Sequence, residues 1–98
     1  MDAIEVVRRR EYLRSDILQE LAVWRVPSPL RGSQHFYKYR LALVARGVCV
    51  LRYDNEAGKG DHKHLGDRQI AYAFVGIRNL FADFDADVAR WIDEHGGD

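Results

Sequence analysis

The sequence predicts an α+β protein in which three or four antiparallel strands form a meander and one C-terminal amphipathic helix packs on one face of the sheet. Residues 35–45 alternate, with Tyr37, Tyr39, Leu41 and Leu43 on one side and Phe36, Lys38, Arg40, Ala42 and Val44 on the other, which is the period of a strand. Farther on, Ile77, Leu80, Phe81, Phe84, Val88, Trp91 and Ile92 recur at three and four residues with Arg78, Asp83, Asp85, Asp87 and Arg90 between them. That is the period of a helix with a single apolar stripe, and the stripe needs an apolar sheet face to cover. Size is the third observation: 98 residues, 47% hydrophobic and 31% charged, suffice for one core and are too few for two, so residues 1–98 read as a single domain.

From the N-terminus, residues 4–26 admit two readings. Ile17, Leu21 and Trp24 stand at helical spacing, whereas the apolar run at 21–26 suits a strand buried on both faces. Ser15-Asp16 serves either as a helix cap or as a turn between two strands. The β-favouring Val23-Trp24-Arg25-Val26, followed at once by Pro27, tips the balance to a hairpin. Pro27, Pro29 and Gly32 then mark a loop. Arg46-Gly47 is a tight turn after the alternating strand, and Val48, Cys49, Val50 and Leu51 begin its antiparallel return. Glu56 to Gly60 is a glycine-rich turn, and Gly96-Gly97 should end the helix.

Composition narrows the function classes. The chain is too apolar to be disordered, has one cysteine and hence no internal disulfide, and contains no stretch near the roughly 20 apolar residues that span a membrane. Cys49 lies in an apolar run and is expected to be a small core residue; no apolar leader follows the first charges, and a cytoplasmic location is expected. The net charge is zero but unevenly spread: residues 31–68 hold eight Lys/Arg against four Asp/Glu, or +4, and residues 77–98 hold two against six, or −4. Such separation can give a neutral protein a positive face that attracts a polyanion.

The chemistry concentrates in residues 52–64, RYDNEAGKGDHKH, where two histidines, two lysines, an arginine, a tyrosine and two aspartates surround two glycines. In an extended segment His62 and His64 project to the same side with Lys63 on the other. Two imidazoles supply the base and the acid that RNA cleavage through the 2′-hydroxyl needs, because the ordinary histidine pKa lies near neutrality. His62 and His64 are the candidate acid/base pair, Lys59, Lys63 and Arg52 the cations for the phosphate, Tyr53 a hydrogen-bond donor or stacking surface, and Asp54 or Asp61 the carboxylate that orients an imidazole. Lys38 and Arg40 extend the positive surface.

No metal or other cofactor is required by that scheme. Ligation of a metal by His62 and His64 with Asp54 or Asp61 is a weaker alternative, since no familiar ligand spacing is present. Gly58-Lys59-Gly60 fails as a phosphate loop because glycine, not Ser or Thr, follows the lysine. His35 and His95 read as solvated, although His35 precedes the strand that pairs with the site strand.

The runs at 36–41, 50–64, 72–74 and 80–84, above all YDN and GKGDHKH, resemble the TumE family of small toxins from prokaryotic toxin–antitoxin operons. The resemblance covers roughly residues 20–90. It implies a growth-inhibiting protein neutralised by a cognate antitoxin with a helix-turn-helix domain, and it favours strands before Pro27. By analogy with small toxins of such operons, RNA is the expected target. A binding module that sequesters a protein or nucleic acid through the positive 31–68 segment is the rival reading. Asp83, Asp85 and Asp87, expected to face outward, are candidate antitoxin contacts, and the edge strands of a small open sheet invite a homodimer.

Overall fold

The computed structural model describes residues 2–95. Six strands follow one another in a strict antiparallel meander, β1 Ile4–Arg14, β2 Ile17–Arg25, β3 Tyr37–Ala45, β4 Val48–Glu56, β5 Gly60–Leu65 and β6 Arg68–Ala71, before the helix α1 Ile77–His95. The α+β class, the meander and the C-terminal helix agree with the sequence reading; the sheet has six strands rather than three or four. The two added strands are polar or short, GDHKHL and RQIA, and neither carries an apolar alternation that would mark it. Residues 4–26 form the hairpin and not the helix, turning at Ser15-Asp16. The expected helix stop at Gly96-Gly97 lies outside the described residues.

Strand pairing divides the side chains into two faces. Leu21, Leu41, Tyr53 and Lys63 are aligned across β2 to β5, as are Gln19, Leu43, Leu51 and Leu65, and these rows face the helix. Leu80, Phe84 and Val88 of α1, spaced four apart, press onto that face, with the Phe84 ring edge-on to Tyr53 at 5.6 Å between centroids. Burying such side chains is worth about 1.5–3 kcal/mol each, so this contact contributes to stability. Among the described residues the opposite face carries no helix and holds the intervening rows, Arg8, Ala22, Arg40, Asp54 and His62 in one, Arg10, Glu20, Ala42, Arg52 and His64 in the next.

Two expectations fail for reasons of register and packing. The β3–β4 hairpin turns on Arg46 and Gly47, both at positive φ as a two-residue hairpin loop requires, but a bulge makes Val50 an extra residue opposite Leu43. Cys49, opposite Val44, is thereby taken off the face that Leu51 shares with the core and is exposed, not a core residue. Asp87 is buried rather than outward: its carboxylate accepts hydrogen bonds from the Tyr53 hydroxyl and from Lys63 Nζ at 3.1 Å and pairs with Arg90 at 3.2 Å, tying the helix to the sheet. Asp83 and Asp85 remain exposed.

Candidate functional site

The two motifs of the central stretch are distributed by strand alternation between the two faces. Along β4, Tyr53 faces the helix, Asp54 the uncovered face and Asn55 the interior; along β5, Asp61 and Lys63 face the helix side while His62 and His64 face the uncovered side. The sequence-predicted residues therefore form two groups. His62, His64, Asp54, Arg52, Arg40 and Lys38 share the uncovered face. Tyr53, Lys63 and Asp61 do not join them, and Lys59 lies at the β4–β5 turn, paired with Glu56 at 3.5 Å.

On the helix side Asp61 is a hub. Its carboxylate accepts from Ser33 Oγ at 2.6 Å, from the Tyr39 hydroxyl at 2.7 Å and from His35 Nε2 at 2.7 Å. The Tyr37 amide donates to His35 Nδ1 at 3.2 Å, so that nitrogen is the acceptor and Nε2 carries the proton given to Asp61. His35, stacked on Phe74 at 3.7 Å between centroids, thus has both nitrogens engaged and is not the solvated residue expected. Its loop docks because Gly32 and Gly60 approach so closely that a Cβ on Gly32 would lie 2.8 Å from the Gly60 nitrogen, at a φ of +97° suited to glycine. Asn55 completes the anchor, accepting from the Tyr39 amide at 2.9 Å and donating to the Tyr37 carbonyl at 2.8 Å. Burial and then the bond to Asp61 raise the Tyr39 pKa far above the ordinary tyrosine value, and burial and then Asp87 do the same for Tyr53, so both remain protonated donors.

The uncovered face is arranged differently. Asp54 lies between two partners, with Arg52 Nε 3.0 Å from Oδ2 and His62 Nε2 2.7 Å from Oδ1. His62 Nδ1 donates to the Gly60 carbonyl at 3.1 Å, and the His64 ring stands edge-on at 4.9 Å between centroids. Both Asp54 and His62 are more than 90% buried. Yet Arg52 Nε, Asp54 Oδ1 and His64 Nε2 are the buried side-chain polar atoms, among the described residues, that lack a hydrogen-bond partner. Arg52 Nε and Asp54 Oδ1 are engaged in the Asp54 ion pairs, so His64 Nε2 is the atom left with unspent binding capacity. Burial, reinforced by the neighbouring charge of Arg52 and the His62 ring, lowers the His64 pKa, which keeps that imidazole unprotonated and able to accept a proton near neutrality. A shallow groove lined by Arg8, Arg10, Glu20, Ala22 and Arg40 lies on the same face, with Arg8 over the Trp24 ring at 5.4 Å.

Sequence reasoning assigned His62, His64 and Asp54 to one place and missed the contribution of Ser33 and His35 to the opposite hub. The glycine at 32 was the available signal, since it permits the loop to close on β5. Chemically, the uncovered cluster offers an unprotonated imidazole, a second imidazole held by a carboxylate, and a guanidinium within one strand spacing. Its class is a small α+β protein with a largely buried histidine–aspartate–arginine cluster on the sheet face opposite the helix, beside a basic groove. A family model described as Toxin TumE matches residues 3–92, and the chain belongs to the TumE toxin family. No curated protein and no solved structure matches it. Among the described residues no helix is long and apolar enough to cross a membrane.

Proposed function

We propose that this toxin stops growth by cleaving RNA at the cluster on the uncovered face, without a metal. The observation that carries the reading is the grouping of a buried, unpartnered His64 Nε2 with the Arg52–Asp54–His62 chain of contacts at 3.0 and 2.7 Å. In the scheme, His64 takes the proton of the 2′-hydroxyl, the 2′-oxygen bonds to the adjacent phosphorus, and the 5′-oxygen leaves with a proton returned from His62, which Asp54 and the Gly60 carbonyl orient. Arg52 replaces Lys63 as the nearby positive charge for the phosphate, because Lys63 is engaged by Asp87 on the other side of the sheet. The groove past Arg40, Arg10 and Arg8 supports RNA as the polyanion, and Trp24 offers a surface on which a base can stack.

The remaining expectations follow from the toxin role. An antitoxin with a helix-turn-helix domain is the proposed partner, with Asp83 and Asp85 as contacts; pairing of a second copy along the β1 edge, where Ile4, Val6, Tyr12 and Leu13 are exposed, is the proposed homodimer. A cytoplasmic location fits both. The test is the purified protein on RNA in EDTA, compared with His64→Gln and His62→Gln shown by circular dichroism to be folded. Loss of cleavage and of growth inhibition in both variants supports the reading; full toxicity in the double variant rejects it. The rival, capture of a partner without chemistry, draws support from the same arginine row. It expects charge reversal at Lys38 and Arg40 to abolish toxicity and the histidine variants to retain it.

A further inference from the structure

We infer that Asp54, His62 and His64 form a binding site for one zinc-like divalent cation, and that the ion silences the chemistry proposed for the same cluster. The silencing rests on that nuclease reading; the binding does not. One ligand atom from each of the three residues lies within 4.8 Å of the others. A tetrahedral ion with bonds of about 2.0–2.2 Å holds its ligand atoms about 3.3–3.5 Å apart, so only small side-chain rotations separate this arrangement from a coordinating one.

Three features favour a cation over a chance cluster. First, His62 Nε2 and Asp54 Oδ1 stand 2.7 Å apart, and both side chains are more than nine-tenths buried. A proton on Nε2 bridges the two atoms at that distance, and a cation that displaces the proton can bond to both after they part by less than about 1 Å. Second, His62 donates its Nδ1 proton to the Gly60 carbonyl, the outer-shell bond that commonly fixes the tautomer of a ligating imidazole and turns the other nitrogen to the metal. Third, His64 adds a ring whose buried Nε2 has no partner in the protein.

The donor set selects the type of ion. Two imidazoles and one carboxylate, whose second oxygen is already neutralised by Arg52, suit zinc, cobalt or copper; magnesium and calcium require more oxygen ligands than the cluster holds. Three protein ligands leave a fourth position open. Asp61, the other carboxylate of the motif, is bonded to three donors on the opposite side of the sheet and takes no part.

Silencing follows from the count of nitrogens. His62 has only Nε2 to offer, and the base of the proposed reaction is the buried Nε2 of His64; an ion that takes both lone pairs removes that base. Free of the ion the cluster is a base, and filled it is a closed site. Toxicity would then respond to zinc as well as to an antitoxin.

The test uses metal-free full-length protein titrated with Zn2+, followed by calorimetry, and with Co2+, followed by its visible absorption. One ion per chain is expected, with affinity reduced at least tenfold in His64→Gln and in Asp54→Asn and unchanged in His95→Gln. His64→Gln is the decisive variant, because that ring's nitrogen bonds to nothing in the protein and its loss leaves the fold in place. No saturable binding, or affinity unchanged in both site variants, overturns the site. In parallel, RNA cleavage by metal-free protein should fall at least tenfold with one equivalent of Zn2+ and return with EDTA. Cleavage unaffected by a bound ion, or appearing only with it, overturns the silencing. Absence of cleavage in both states removes the nuclease reading and the silencing with it, while the titration still decides the ion site by itself.

Discussion

Two histidine–aspartate contacts, each 2.7 Å long, lie on opposite faces of one strand pair, and they are not equivalent. His35 and Asp61 belong to a saturated network: Asp61 receives three donors and His35 has a partner at each nitrogen. His62 and Asp54 belong to a network that ends on a free acceptor, because the neighbouring His64 has a buried Nε2 with no partner. A short distance alone therefore says little about reactivity. A carboxylate–imidazole pair closed on its own partners fastens a loop, whereas one beside an unpartnered imidazole leaves capacity to take a proton or a ligand.

The contrast predicts separable losses. The largest effect should follow His64→Gln, with RNA cleavage down about 10²- to 10⁴-fold and thermal unfolding little changed, read by gel assay beside circular dichroism. Next, Asp61→Asn should cost stability instead, about 1–3 kcal/mol by urea unfolding, because the three donors now facing it lose a charged acceptor. Comparable loss of stability in both variants would erase the distinction.

The helix side also sets a pH response. Tyr39 and Tyr53 have pKa values raised above the unfolded 10.0, so above that pH the unfolded chain releases protons that the folded chain keeps. Stability is then intact below pH 10 and falls as pH rises further, by about 1.4 kcal/mol per pH unit for each such tyrosine. Tyr39→Phe should flatten that decline in alkaline urea titrations. On the uncovered face, His64 and His62 variants should leave the alkaline decline as it is. The smallest expected effect is that of Arg40→Glu, a severalfold weakening of RNA binding, together with a shallower dependence on salt, in a fluorescence titration.

Much of the architecture was legible. Alternation at 35–45 and the three- and four-residue spacing at 77–92 mark β3 and α1 because each buries one face, and burial enforces the period. β5 and β6 were not marked, since GDHKHL and RQIA owe their conformation to backbone pairing with a neighbour and not to an apolar pattern of their own. Cys49 was misplaced because a bulge, invisible in composition, shifts the strand by one residue. Asp87 was misplaced because its partners, Tyr53 and Lys63, come from strands more than 20 residues away.

The sequence by itself determined that His62 and His64 share a side and that Lys63 opposes them, because side chains alternate along any extended chain. Only the tertiary structure decided what each side meets. The helix covers the face bearing Lys63 and Tyr53 and turns them into anchors, and a loop closed by Gly32 satisfies Asp61. The imidazoles are left on the face opposite the helix. The physical reason is that alternation is local, whereas burial and the satisfaction of polar atoms depend on segments distant in the chain, which come together only when the sheet and helix pack.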